Sequence, residues 1–548
     1  MAFKVILKWL ISKHRLFFGF IILIVLFFSF RSRTLDRHDR EYQKWMSEHP
    51  QLVSTGPVME DSTWECTGTT PRTRICTYQN LCIDRKHGAY IRVRDPTALK
   101  EKPPLVNLIS VGTTEDIHWA PEVRPIMSFW KPTQGVDVDL IDETLFVYGL
   151  YSPFHFSHQL YNGLLPLYSV MKEFKASRNA WTFRPRTFWF QPHIIDLDFI
   201  TSGKDIVFAE DEAATDHQIL PPSSRPICFS RAIVGGGTRC SHNYCERFIP
   251  QQHMNQFRDD VLDYYVHNDA WNKTVAQSTE KSLQCTKQVE IFPPTSDQLS
   301  DTPVIGILNR KNSRRVTNMD EAVSALRKAI PYAEIKILSF DSGCSLAATA
   351  KLMEDIDVFI TSFGNGVGCN IFQRSNRVTI SIEPRNYSED WFMWPSTCMG
   401  RRIHNLQCTR RECQVKDYDL AKKMLLEYGA KFTQEDIEEL ANAEDVPYKL
   451  CDRLVPERGY TLCGIYSKDA QRKAEIGTLV PSVRKILDEM ISTGASWKNH
   501  TDNLNYSELC TEGKCCGPKC AYVMKDTIFS GSQSSWGLTG EGKDWKLQ

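Results

Sequence analysis

A chain of 548 residues and 63.0 kDa exceeds one ordinary hydrophobic core, so two or three domains are expected. Its 66 Lys and Arg balance 66 Asp and Glu, which removes the concentrated basic surface that a dedicated nucleic-acid binder needs. A hydrophobic content of 42% excludes a largely disordered chain, and a mean hydropathy of −0.35 excludes a polytopic membrane protein but admits a single anchor.

The chain opens with a short tail, residues 1–15, followed by the apolar run LFFGFIILIVLFFSF from Leu16 to Phe30. At about 1.5 Å per residue this run reaches roughly 22 Å, against about 30 Å of hydrocarbon. A cleaved signal peptide and a short anchor both fit that length. Phe28, Phe30 and Arg31 stand where signal peptidase needs small residues, which favours an uncleaved anchor. Lys13, Arg15, Arg31 and Arg33 snorkel to extend it, and short anchors suit the thin membranes of the early secretory pathway. Lys and Arg counts tie across the two flanks, so orientation rests on the rest of the chain. All 18 cysteines follow the anchor, as do sequons at Asn272, Asn386, Asn499 and Asn505. Both features fit an oxidising lumen. The expectation is a single-pass type II protein of the Golgi or endoplasmic reticulum membrane, glycosylated at those asparagines.

Residues 31–103 are polar and turn-rich with Cys66, Cys76 and Cys82 close together, which suggests a luminal stem with a cysteine knot. In 104–300, strand-length apolar runs recur: LVNLISV (105–111), TLFVYGLY (144–151), TFWFQPHIIDLDFI (187–200) and PICFSRAIVGG (226–236). Helical spacing marks Leu164–Phe174 and 251–266, and the Ser-, Thr-, Gln- and Pro-rich 273–302 reads as an interdomain connection. Residues 301–450 alternate strictly. Strands are expected over Val304–Leu308, Glu334–Phe340, Val358–Thr361 and Val378–Ile382. Asn318 is expected to cap a helix, with Glu321 completing a capping box, and Ser345–Glu354 to form another helix. Such alternation marks a doubly wound parallel sheet. Beyond 450, Cys451, Cys463, Cys510, Cys515, Cys516 and Cys520 crowd a polar tail, for which disulfides fit an oxidising lumen better than zinc.

Three segments have the composition for chemistry. The loop LNRKNSRRVTN (Leu308–Asn318) places Arg310, Lys311, Arg314 and Arg315 between a strand end and a helix start, where doubly wound domains bind ligands. Cations and helix N–H groups there suit a pyrophosphate, although a solvated basic loop is an equal alternative on position alone. VFITSFGNGVGCNIF (Val358–Phe372) sets Gly364, Gly366 and Gly368 after a strand, so the backbone can approach a ligand or simply turn. Glu383 ends the next strand and suits a ribose, or a surface cap or pair. SPFHFSHQLYNGLLPLY (Ser152–Tyr168) supplies His155 and His158 ahead of a helix. A neutral histidine can deprotonate a sugar hydroxyl, and a hydrogen-bonded structural histidine is the bland alternative.

Together the segments resemble glycosyltransferase family 61. That family's motif like H-Q-F-N-D-G followed by I-P-L-F stands here as HQLYNG and LLPLY; its S-R-R-x-S-R-R with N-E-x-E as NRKNSRRVTNMDE. Its H-G-A-G-L, N-x-L-F and V-V-E-I-x-P stand as FGNGVGCNIF and VTISIEP. The likeness covers roughly residues 145–405. It implies a fold like the GT-B glycosyltransferases, with two doubly wound α/β domains facing a cleft behind the membrane anchor. The acceptor side falls on 104–300 and the nucleotide-sugar side on 301–450. It also implies an inverting transfer from a nucleotide sugar to a glycan or glycoprotein hydroxyl. His158 would be the base with His155 in reserve, Arg310, Arg314, Gly364 and Gly366 would hold the diphosphate, and Glu383 the ribose.

The family's aspartate in the first motif falls on Asn162 and its histidine in the glycine motif on Phe363. Neither can transfer a proton in the same way, so an inactive member that binds luminal glycans or proteins is the rival expectation. Asp137-Val-Asp139, Asp196-Leu-Asp198 and Asp355-Ile-Asp357 each spell a metal-chelating spacing, but all sit in apolar strand-like contexts and are taken as structural. No metal ligand is assigned, and a divalent-metal requirement is left open.

Overall fold

The computed structural model describes stretches of the chain between Asp61 and Ser492, chiefly 61–91, 139–149, 156–175, 227–240, 247–296, 301–384, 401–407, 415–442 and 461–492. The expected anchor, His155, the sequons Asn386, Asn499 and Asn505, and the cysteines from Cys510 to Cys520 lie outside the described residues. Among the described residues no helix is long and apolar enough to cross a membrane.

The first sheet is built from β1 (Thr63–Thr67), β2 (Ile75–Asp84), β3 (Gly88–Tyr90), β4 (Asp139–Val147), β5 (Trp181–Pro185), β6 (Asp205–Phe208) and β7 (Ile227–Val234). Its order is β1-β2-β7-β4-β5-β6, with β3 also paired to β2. The strands β7, β4, β5 and β6 run parallel, whereas β1, β2 and β3 pair antiparallel. This sheet is therefore mixed rather than doubly wound. Its antiparallel half comes from residues read in sequence as a stem. Those strands are half-solvated: β1 alternates between exposed and intermediate, and in β2 the buried Cys76, Tyr78 and Leu81 are interspersed with polar Thr77, Gln79 and Asn80. Cys66–Cys76 closes the β1–β2 hairpin, and Cys82–Cys228 ties β2 to β7 across 146 residues. Val106–Leu108, in the first expected run, form no strand. A two-stranded parallel ribbon follows, β8 (Arg239–Cys240) and β9 (Arg247–Phe248).

The second sheet contains β10 (Glu290–Phe292), β11 (Val304–Leu308), β12 (Glu334–Leu338), β13 (Val358–Ser362), β14 (Val378–Glu383) and β15 (Arg402–Gln407). Its order is β10-β12-β11-β13-β14-β15, parallel throughout except for the edge strand β10. Every residue of β11, β13 and β14 is buried, which explains why they read as continuous apolar runs. On one face the helices Met319–Ala329 and Ile476–Ile491 pack over Ile305, Ile307, Val358 and Ile360. On the other, Leu346–Met353 and Gln251–Tyr265 pack over Leu308 and Phe359. That second core continues into the first sheet through the helix Leu165–Glu173, so the two sheets share one apolar interior.

Three local expectations come out differently. Asn318 stands at the helix start but its side chain makes no cap; it exchanges two hydrogen bonds with the backbone of Ala474, at 2.8 and 2.9 Å. The stretch 273–302 is not plain connection. It holds the helix Gln284–Lys287 and β10, pinned by Cys285–Cys344. Past residue 450 lie a ribbon of β16 (Leu454–Val455) and β17 (Tyr460–Thr461), then the helices Leu462–Asp469 and Ile476–Ile491. The last of these belongs to the core of the second sheet rather than to a tail.

Candidate active site

The strand order β12-β11-β13-β14-β15 reverses direction between β11 and β13. Ligands of doubly wound sheets bind at that point, outside the carboxyl ends of the strands. The loop after β11 carries Arg310 and Arg314, and the turn after β13 carries Gly364 and Gly366. The structure brings them into contact. A Cβ on Gly364 would lie 2.5 Å from Nη1 of Arg314 and 3.0 Å from Nη1 of Arg310. Gly364 also has φ of +133°, a conformation that side chains resist. The backbone conformation requires glycine here, and the missing Cβ leaves room for both guanidinium groups. At Gly366 a Cβ would meet Leu308 Cδ2 at 2.8 Å, so this glycine serves close packing of the turn on β11. Lys311 and Arg315 are exposed.

Arg314 itself has φ of +62°, an unusual conformation for a side chain of this size. Asp469 holds it there. The Arg314 N–H donates to the Asp469 carbonyl at 3.1 Å, Nε donates to Oδ1 at 2.8 Å, and Nη2 lies 2.6 Å from the same oxygen. One edge of the guanidinium is thus committed to Asp469, while Nη1 is directed over the glycine turn.

Arg472 lies behind this pair and is 1% exposed. Its backbone stitches the segment to the basic loop, donating to the Arg315 carbonyl at 2.9 Å and accepting from Thr317 N–H at 2.8 Å. Its side chain donates to the carbonyls of Ile382, Lys468 and Ala470. Burial pulls its pKa down to about 9, repulsion from Arg314 and Arg310 adds to that, and Glu383 and Asp469 oppose it. Glu383 is likewise buried, at 1% exposure, and acts as a counter-charge to Arg472. Asp469 and Arg472 escape sequence reading because their partners are about 155 residues away and no local pattern marks them.

His158 lies on the helical turn Phe156–Gln159, half-buried, with Nδ1 3.0 Å from Oδ1 of Asn162. The turn rests on the glycine segment. Ser157 Oγ donates to the Asn365 carbonyl at 3.0 Å, and Tyr161 Oη donates to the Gly368 carbonyl at 3.1 Å. A Cβ on Gly368 would collide with Ser157 Oγ, so this third glycine is what lets the two segments meet. The candidate base and the candidate phosphate cradle therefore share one seam. Burial raises the Tyr161 pKa, keeping its hydroxyl a neutral donor. Phe363 is 4% exposed and packs edge-to-face on Phe392, which also meets Tyr161. The Phe363 side chain is an apolar wedge beside the glycine turn. A small cavity beside the turn is lined by Tyr148, Gly149, Asn162, Gly163 and Pro166.

Asp357 is 3% exposed and bound to Arg377 at 2.7 Å, while its other oxygen accepts from Val304 N–H. It is an internal strut. Asn272 is exposed on the helix Ala270–Gln277.

Residues 154–380 match the family model Glycosyltransferase 61. It contains His158, Arg310, Arg314, Gly364 and Gly366, and it ends before Glu383, Asp469 and Arg472. No curated protein matches the chain.

Proposed function

We propose that the family 61 module makes this chain an inverting glycosyltransferase, moving a sugar from a nucleotide-sugar donor to a hydroxyl of a glycan or glycoprotein. The observation that carries the proposal is the meeting of Arg310, Arg314 and Gly364 at the sheet's switch point. Cationic groups over an open glycine backbone suit a diphosphate leaving group, and charge stabilisation of this kind is often the largest catalytic contribution. His158, on the seam with the glycine turn, is the base for the acceptor hydroxyl. Gly366 supports the turn. Glu383 reaches a ribose only if its buried carboxylate becomes uncovered, and its burial favours the role of counter-charge to Arg472. The disulfides Cys66–Cys76, Cys82–Cys228 and Cys285–Cys344 among the described residues fit an oxidising compartment, in line with a luminal body on a type II anchor in the Golgi or endoplasmic reticulum.

Release of nucleoside diphosphate from a panel of nucleotide sugars, with and without glycan acceptors, tests the activity. One donor should be turned over, and His158→Ala should lower turnover by about 10²–10⁴-fold while His155→Ala changes it little. The rival is a binding protein without turnover, favoured specifically by the neutral Asn162 and the apolar Phe363. A donor that binds but is never cleaved, with any acceptor, would establish the rival.

A further inference from the structure

The helix that follows His158 begins irregularly, for a reason the chain makes plain. Pro166 has no N–H, and its ring crowds the carbonyl four residues back, that of Asn162. The backbone relaxes into the π-helical turn Leu160–Leu164, in which Leu165 N–H donates to the Leu160 carbonyl five residues away. Asn162 sits on that turn at 0% exposure, with Oδ1 against Nδ1 of His158. An amide oxygen has only lone pairs to offer, so this contact is a hydrogen bond only where the imidazole nitrogen carries the hydrogen. A neutral His158 then keeps Nε2 unprotonated, which is the form a general base requires.

We propose that Asn162 is a positioning residue that fixes His158 as the Nδ1–H tautomer with Nε2 as the accepting nitrogen. The inference rests on His158 being the base of the proposed transfer. In that step the acceptor O–H bond breaks and its proton moves to Nε2, forming the imidazolium. The acceptor oxygen bonds the anomeric carbon, and the bond from that carbon to the diphosphate breaks, its electron pair leaving on the diphosphate. Asn162 supplies the orientation a carboxylate would supply at this place, and omits the charge. The substitution that looks disabling in sequence thus preserves the part of the contact that decides which nitrogen is basic.

The test is long-range ¹H–¹⁵N correlation on histidine-labelled full chain in detergent, at a pH where His158 is neutral, with its signals assigned by their loss in His158→Gln. Wild type should show a pyrrole-type Nδ1 and a pyridine-type Nε2. Asn162→Leu should move the proton to Nε2 and lower donor turnover by about 10²–10⁴-fold, whereas Asn162→Asp should keep both the tautomer and the turnover. A wild-type Nε2–H tautomer overturns the inference, and that spectrum decides even if Asn162→Leu does not fold. Unchanged tautomer and turnover in a folded Asn162→Leu overturn it as well. Should the tautomer respond as expected while His158→Gln retains full turnover, the positioning contact stands and the assignment of His158 as base falls.

Discussion

Gly364→Ala perturbs the proposed diphosphate site at its tightest point. The new Cβ would stand 2.5 Å from Arg314 Nη1 and 3.0 Å from Arg310 Nη1, well inside van der Waals contact. Both atoms end flexible side chains, so the clash is relieved cheaply, by the guanidinium groups swinging off the turn. The backbone has no such escape. Alanine at φ of +133° retains its strain, about 1–3 kcal/mol, which appears as lost stability. The functional loss comes from the displaced arginines. Each charge-assisted contact to a phosphate contributes about 1.5–3 kcal/mol, so losing one weakens nucleoside diphosphate binding by about 10- to 150-fold. Calorimetric titration gives the affinity and thermal unfolding the strain. Gly477→Ala is the control, because its Cβ meets nothing and lies in the first turn of the helix Ile476–Ile491. It should leave binding unchanged and raise stability by at most about 0.5–1 kcal/mol. A folded Gly364→Ala that binds as tightly as wild type would refute the placement of the diphosphate over this turn.

Three further outcomes are expected. Arg314→Ala should weaken nucleoside diphosphate binding by about 10- to 150-fold. Stability should change little, since its partner Asp469 has a side chain 30% exposed and can be solvated; equal affinity in calorimetry would make the loop a structural one. Asp357→Asn leaves Arg377 buried without its counter-charge and should cost about 3–5 kcal/mol in urea unfolding; a loss below about 1 kcal/mol would contradict the strut. His267 bridges Glu354 and Asp263 between two helices. Burial lowers its pKa, but the hydrogen bonds and charges of both carboxylates outweigh that and raise it above 6.5. A raised folded pKa means the bridge stabilises fully below pH 6.5 and is lost as pH rises through the folded value. His267→Gln should therefore lower stability in mildly acidic buffer and not in alkaline buffer, and the reverse order would contradict the sign.

The second sheet was legible because β11, β13 and β14 are buried on both faces and so read as unbroken apolar runs between glycine and polar breaks. The same run gave the basic loop and the glycine turn their places. The first sheet was obscured because β1 and β2 lie at its antiparallel, half-solvated edge, where Thr77, Gln79 and Asn80 mimic a polar stem. The Asn318 cap failed for a non-local reason: the amide finds a better-matched pair of groups on Ala474, 156 residues away. Asp469 and Arg472 were hidden likewise, by contacts that only the folded chain creates. Asn162 was visible as a departure from the motif the sequence resembles, and its spacing of four from His158 suits a helical pair, but only the folded turn shows Oδ1 set against Nδ1.

The central claim is that Arg310 and Arg314 over the glycine turn form a nucleotide-diphosphate site. Equilibrium binding of uridine, guanosine, cytidine and adenosine diphosphates to the full chain, beside the Arg310→Ala/Arg314→Ala double variant, tests it most directly. Wild type should bind one of these nucleotides selectively, and the folded double variant should lose more than about 100-fold in affinity. Equal affinity of both proteins for the selected nucleotide, or no binding of any nucleotide to wild type, would contradict it.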